Sequence, residues 1–424
     1  MSEKNVNEIY NEYVERIVKE GAENETVRIA LGRAIAAFRK NRQQALNKYP
    51  HTVVMADEVR RIKEYSIEHM EELVDKACEA IEENHGHCYK AKNKDEALKI
   101  FDRIIGTGKT IVQSKSLTAE EISLRHHLQE KGNEVFETDL GEFITQLLGN
   151  RPMHILAPAI NVPREKVAEL LEKYTGEKID HRNIPEMVNA VRKILRDKYF
   201  NAHFGINGAN VISADTGSMF IIENEGNARL VTGAPPVEIA LIGMEKVVPT
   251  LQDAFKTVEV TWRYANYKMP AYLNIISGPS KTGDIEKVIT YGAHGPKELH
   301  VIFLDNGRTE MAKDPVYREA LYCLRCGACL YECPVYEITA GYYGKKYLGG
   351  IGTIWDAFTT VGFKESAPMA YTCLRCGRCK KTCPLKIDTP KMVSKLRNDL
   401  KKMGLVPEPI KMFAEEILKL AKEL

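Results

Sequence analysis

Long apolar runs are missing from this 424-residue chain. Candidates such as Ile239 to Met244 stop after a handful of residues, far short of a spanning helix, so the chain is expected to have no integral membrane segment. The stretch Met1 to Glu20 is dense in Glu, Lys and Asn and lacks the apolar core of a secretory signal, which predicts a cytoplasmic location. Charge of one sign is scarce as well. Sixty Lys and Arg against 58 Asp and Glu leave a formal +2 with no long basic stretch, so neither nucleic acid nor an anionic membrane surface is predicted as a partner. Cysteine is sparse before residue 323, where Cys78 and Cys88 stand alone; both read as small apolar side chains on a helix face or strand. A disulfide scaffold is not expected in a compartment that keeps thiols reduced.

What is present divides the chain into three expected segments. Residues 1–84 form a helical N-terminal region, with apolar positions such as Val59, Ile62, Ile67, Met70, Leu73 and Val74 recurring at helical spacing. Residues 85–306 form an α/β domain. Short apolar runs predict strands at Thr110 to Val112, Val135 to Glu137, His154 to Leu156, Phe204 to Ile206, Met219 to Ile222, Glu238 to Ile242, Leu273 to Ile276 and His300 to Leu304. Amphipathic stretches at Ala119 to Lys131, Arg164 to Lys173 and Pro185 to Arg196 predict helices between them and hence a substantially parallel sheet. Asp305, Asn306 and Gly307 mark its end. Residues 307–424 carry helix, cysteine run, Gly-rich connector, second cysteine run and a helical tail from Pro390, with no strand pattern, which predicts a helical ferredoxin module.

Eight of the ten cysteines lie in the two runs: Cys323, Cys326, Cys329, Cys333 before Pro334, and Cys373, Cys376, Cys379, Cys383 before Pro384. Both read C-x2-C-x2-C-x3-C-P. A cubane needs thiolates converging on its corners, and two-residue gaps let one loop supply three. Structural zinc uses separated pairs and has no need of a third evenly spaced cysteine. Two 4Fe-4S clusters are therefore expected. Because the fourth ligand comes from the other run in two-cluster ferredoxins, Cys323, Cys326, Cys329 and Cys383 are assigned to one and Cys373, Cys376, Cys379 and Cys333 to the other. Arg375, Arg378, Lys380 and Lys381 crowd the second run, whereas the first has Arg325 offset by Glu332, so the second cluster is expected to have the higher potential.

Other signals are weaker. Gly106 to Thr110 resembles the end of a phosphate loop, but Arg103 stands where that motif needs glycine, and a strand follows instead of a helix. Gly205, Asn207, Gly208 and Asn210 lack dinucleotide spacing and read as a tight turn. His85, His87 and Cys88 have metal-corner spacing at a helix-to-strand junction, where a capped turn is the plainer reading. Of His126 and His127, one is expected exposed and the other packed.

The order of segments resembles the iron-sulfur B subunit of the lactate utilization complex. The resemblance runs from about Arg60 to about Arg397. It rests on Ser114-Lys115-Ser116, Glu120-Glu121 and His126, Glu137 to Glu142, Ala157-Pro158-Ala159, Gly208-Ala209-Asn210, Thr216-Gly217, Asn224 to Asn227, Arg229, Pro235-Pro236, Glu245-Lys246, Gly278-Pro279, Leu304 to Arg308 and both cysteine runs. It implies a lactate utilization domain related to the sugar-phosphate isomerase and CoA-transferase fold. It also implies clusters that relay electrons from L-lactate oxidation, in a chain that is an electron-transfer subunit beside other subunits of a lactate-oxidizing or related redox complex and not catalytic alone. Two positions depart from the family pattern: Cys373 is often absent in the family, and Asp215 stands where glutamate is usual before Thr-Gly. An alternative is an electron carrier for another dehydrogenase or reductase. Another is an α/β enzyme acting on a small acid or CoA ester, with Lys115, Glu142, Asp215 or Arg229 as pocket candidates; since they form no recognisable triad or metal set, turn and cap residues are the plainer reading.

Overall fold

The structure is a computed structural model that describes residues 4–423; residues 1–3 and Leu424, the outer ends of the first and last expected segments, lie outside the described residues. Four helices open the chain: α1 (Val6–Arg16), α2 (Glu25–Lys48), α3 (His51–Glu68) and α4 (Met70–Glu83), with a π-helical turn over Ile17–Ala22. Asn5 and Glu8 close a capping box on α1 and the Asn24 side chain caps α2, satisfying N–H groups that the first turns leave open.

Among the described residues twelve strands follow: β1 (His87–Ala91), β2 (Thr110–Gln113), β3 (Glu134–Glu137), β4 (Phe204–Asn207), β5 (Val211–Ser213), β6 (Met219–Glu223), β7 (Val237–Gly243), β8 (Val247–Val248), β9 (Tyr272–Ile276), β10 (Lys281–Thr282), β11 (Thr290–Tyr291) and β12 (Glu298–Leu304). Six form an all-parallel sheet in the order β1-β12-β7-β4-β2-β3. Its central strands read as almost unbroken apolar runs because helices cover both faces. Strands β8-β5-β6-β9 make a second, mixed sheet. Gly205 in β4 is compulsory: a Cβ there would sit 1.9 Å from the Val231 carbonyl oxygen.

The expected α/β class, helical N-terminal region and helical C-terminal region are all present. Four details differ. His154 to Leu156 is a bend, because His154 Nδ1 accepts the N–H groups of Leu156 and Ala157 at 3.0 and 3.1 Å and closes the chain into a turn. The helix foreseen over Ala119 to Lys131 is two, Leu117–Glu121 and Leu124–Glu130, broken at Ser123 with φ 55°. The tail is also two helices, Thr389–Lys402 and Glu408–Glu423, parted near Gly404 with φ 71°. The fourth is a correction: Cys78 and Cys88 are joined by a disulfide. The turn at His85 and Gly86 folds β1 back along α4, bringing two residues ten apart in sequence to a Cα separation of 5.3 Å. Cys88 is thereby unavailable to the corner considered with His85 and His87.

One apolar core joins the three regions. It runs from Val59 and Val74 through Val301 and Phe303 to Trp355, Leu385 and Leu396, so the C-terminal helices pack on the sheet domain and on α3 and α4 rather than hanging from a linker. No described helix is long and apolar enough to cross a membrane.

Candidate metal centres and the adjoining cavity

The two cysteine runs fold alike. Tyr317–Tyr322 delivers Cys323, and the chain then reverses through Arg325 at φ 57° and Gly327 at φ 79° into a short helix, Ala328–Tyr331, that carries Cys329. In the second run Arg375 at φ 51° and Gly377 at φ 79° do the same ahead of Arg378–Thr382. Cys333 and Cys383 each precede a proline, and Pro334 opens the helix Pro334–Thr339, where its missing N–H costs nothing. Backbone N–H groups meet the sulfurs: Arg325 on Cys323 at 3.4 Å, Ala328 on Cys326, Val335 and Tyr336 on Cys333, Lys380 on Cys379, and Leu385 and Ile387 on Cys383.

The donor set fits iron-sulfur clusters. Burial pushes the Cys326 and Cys383 thiols up to about 12 and Cys333 up to about 11, so free thiolates are disfavoured there unless a cation sits among them. Neighbouring sulfurs add to the effect across the two runs. Cys323, Cys326 and Cys383 act on Cys329, while Cys373 and Cys379 act on Cys333. Cys379 also acts on Cys329 and Cys383, which places the two groups side by side. None of the eight is in a disulfide. Their surroundings differ, since Cys326 is buried and Cys376 exposed, with Leu374, Arg375, Arg378, Lys380 and Lys381 exposed about it.

Behind the first loop lies a network of buried charge that the sequence reading did not foresee. Arg308, wholly buried, donates two N–H groups to Glu121 at 2.9 and 2.8 Å and its Nε–H to Glu245. Arg325 donates to the other Glu245 oxygen at 2.7 Å, Tyr347 donates to Glu121 at 2.6 Å, and the Lys63 ammonium donates to the Glu245 carbonyl. Burial opposes the Glu245 charge, but Arg308 and Arg325 outweigh it and hold its carboxyl well below the usual range. The network ties α3, the sheet domain and the first cysteine loop together. Its signal in the sequence was faint: Glu121, Glu245 and Arg308 all stand among the positions that carry the family resemblance.

Between the sheet domain and that loop is a cavity of about 250 Å³, with Lys115, Asn210, Trp262, Arg325 and Cys326 in its wall. It opens beyond the C-terminal end of β2, as expected for open parallel sheets. Gly208 to Asn210, read as a turn, belong to the wall. Lys115 pairs with Asp139 at 3.0 Å; burial opposes its charge, but Asp139, Glu142 and Glu225 keep its pKa above the ordinary lysine value. Three lining residues hold donors without a partner. The Lys246 ammonium has no hydrogen bond or ion pair among the described residues, and Trp262 Nε1 and Arg325 Nε are buried and unmatched. Burial, reinforced by Arg325, lowers Lys246 to about 7.

The four pocket candidates do not meet in one site, although Glu142 lies within electrostatic reach of Lys115. Lys115 lines this cavity, whereas Glu142, pushed up to about 8 by burial, lines a smaller one of about 30 Å³ beside His154 and Arg151. Asp215 is exposed and accepts the Leu251 N–H at 3.2 Å, and Arg229 lies over the Tyr272 ring on a separate, open surface. His126 is exposed, and His127, half-buried, bonds Asp102 at 2.7 Å.

Residues 74–304 match the LUD domain family, and residues 319–387 match the 4Fe-4S dicluster domain. The "Uncharacterized electron transport protein YkgF" of Escherichia coli (strain K12) is 31% identical over 94% of this chain and 83% of its own length. "Lactate utilization protein B" of Bacillus thuringiensis (strain Al Hakam) is 34% identical over 80% of this chain and 70% of its own. A solved structure, a DUF162 family protein from Deinococcus radiodurans, covers 55% of this chain and 98% of its own at 13% identity and a TM-score of 0.32. The chain belongs to the LUD domain family, and its C-terminal 4Fe-4S dicluster domain makes it an iron-sulfur electron-transfer protein with two 4Fe-4S clusters.

Proposed function

We propose that this chain is the electron-transfer subunit of a complex that oxidizes L-lactate, acting beside other subunits in the cytoplasm. Cys323, Cys326, Cys329 and Cys383 would hold one cluster, and Cys373, Cys376, Cys379 and Cys333 the other. When bound, the clusters supply one-electron transfer. The chain's own residues give the path its ends. Cys326 and Arg325 wall the cavity, and Cys376 reaches the surface among exposed cations. The observation that carries the reading is this pairing of a buried inner loop and an exposed outer one, seen in a relative of proteins named for lactate utilization and electron transport.

The test is anaerobic purification of the chain. Iron and sulfide sufficient for two cubanes are expected, with no L-lactate oxidation until co-purifying subunits are added; zinc in their place, or turnover by the chain alone, overturns the proposal. A second reading has support from Lys246. The unpaired Lys246 ammonium in the cavity wall suits an anionic, oxygen-bearing ligand, so the α/β domain itself would act on a small acid. The cavity is below the range usual for drug-sized ligands, which favours a small acid over a CoA ester. Turnover by the isolated chain that disappears in Lys246→Met is the outcome this second reading requires.

A further inference from the structure

At the edge of the sheet remote from the cavity, β1 and β12 run parallel with His87 directly opposite His300 in register. Register partners on adjacent strands project from the same face, and so do residues two apart on one strand. His87, His300 and Glu298 therefore share a face, as does Tyr89. The His87 and His300 rings stack with centroids 4.7 Å apart, and His300 Nε2 lies 3.4 Å from a Glu298 carboxylate oxygen. One ligand atom from each of the three residues falls within 4.8 Å of the other two. His300 is buried, while His87 and Glu298 open to solvent.

We propose that His87, His300 and Glu298 form a binding site for a divalent first-row transition metal ion, with zinc the expected occupant. Two imidazoles and one carboxylate are the donors that such ions take, and three protein ligands leave a coordination position for water. Calcium and magnesium, which require oxygen ligands, are excluded. The surroundings supply the outer partner that metal-binding histidines need. Tyr89 Oη lies 3.1 Å from His300 Nδ1, so an Nδ1–H donating to Tyr89 fixes the tautomer that leaves Nε2 free to coordinate. The Tyr89 ring is in turn stacked on His300 at 5.9 Å and covered by the Arg103 guanidinium at 5.5 Å. The alternation of the strand sends Cys88 to the opposite face, where its bond to Cys78 anchors the start of β1 to α4.

The site joins an edge strand to its single neighbour. β1 pairs with β12 alone, so an ion shared by His87 and His300 would clip the outermost strand in place. This neither uses the cysteine loops nor depends on the electron-transfer reading, because it lies at the strands' N-terminal ends while the cavity opens at the C-terminal ends.

The test is calorimetric titration of the anaerobically purified chain, with both clusters loaded and their iron content measured before and after. Zinc ion is expected to bind one equivalent saturably, nickel ion likewise, and magnesium ion not at all. Binding should weaken at least about tenfold in His87→Ala and in Glu298→Gln, since even loss of an outer-shell partner typically costs 10- to 100-fold. His87 is exposed, so its removal should leave cluster content and circular dichroism unchanged. Zinc should also raise the melting temperature of the parent chain and not of His87→Ala. Absence of one saturable equivalent, or undiminished binding in both variants, overturns the proposal.

Discussion

Arg308 shows how much one side chain can determine. It has no exposed surface, and its charge is balanced by Glu121 and Glu245. Removing one member of a buried pair leaves the other uncompensated, which typically costs about 3–5 kcal/mol. Arg308→Met should therefore lower the unfolding free energy extrapolated from a denaturant titration by an amount in that range. Arg308→Met combined with Glu121→Gln should lose less than the two single changes summed, because one deletion relieves the other. Gly243 is held to glycine by the same network, since a Cβ there would lie 2.1 Å from a Glu245 oxygen. Glu238 presents the opposite electrostatics. Inside β7, with Asn207 Nδ2 as its donor at 3.0 Å, its carboxyl is pushed up to about 8 by burial. A carboxyl whose folded pKa exceeds its unfolded value stabilises the fold fully below about 4.3, and that contribution is lost as pH rises toward 8. Melting temperature is accordingly expected to fall across this interval, and Glu238→Gln, neutral at every pH, should flatten the decline. Thermal scans at pH 5 and pH 8 check this, and equal slopes in parent and variant would refute it. None of these partnerships was readable from sequence. The meeting of Glu121, Glu245 and Arg308 depends on three distant segments converging, and no local spacing encodes that.

At the scale of elements, legibility followed periodicity. β7 and β12 are apolar almost throughout and were read within one or two residues of their ends. β1, with His87, Cys88, Tyr89 and Lys90, gives no such pattern because it is an edge strand with one end exposed, and its pairing to β12 is what makes it a strand. His154 to Leu156 erred the other way, its apolar run overruled by a side chain that caps its own turn. The cysteine runs were legible because their chemistry is local: spacing, Gly327 and Gly377, and the following prolines all lie within a few residues of the metal they serve. Their unequal settings yield a prediction. Arg325 is balanced by Glu245, Glu332 is engaged by Arg39 and Arg42, and burial lowers Lys63 to about 8 and Lys246 to about 7, which weakens the positive charge these two lysines bring beside Cys323. Around the second loop Lys380 pairs with Asp388, but Arg378 and Lys381 form no ion pair among the described residues, and Cys376 is exposed. Exposure and cationic neighbours both favour the more negative, reduced state. Redox titrations of Cys326→Ser and Cys376→Ser, each followed by electron paramagnetic resonance, should assign the higher potential to the second cluster; the reverse order would show that the cations are screened.

For the whole molecule, the shared core decides how the parts work together. Trp355, Leu385 and Leu396 belong to the same apolar cluster as Val59, Val74 and Phe303, so the cysteine loops are held by the sheet domain and not by a tether. This makes the inner loop a wall of the cavity and leaves the outer loop as the route to the surface. If charge leaves there, the exposed cations should govern the encounter with an acceptor. Ferricyanide, a small anion, is a suitable probe because it needs no docking surface. Oxidation of the reduced chain by ferricyanide should be faster at low ionic strength and slow as salt shortens the reach of the field, the screening length being about 10 Å at 0.1 M. Arg378→Glu with Lys381→Glu should cut the low-salt rate severalfold and abolish most of the salt dependence, leaving cluster content unchanged. A cationic oxidant such as hexaamminecobalt(III) should respond in the opposite direction, which separates an electrostatic effect from general damage to the loop. Equal rates in parent and variant with both oxidants would place the exit elsewhere, and the cavity side, where Cys326 and Arg325 meet the sheet domain, would then be the remaining route for electrons in both directions.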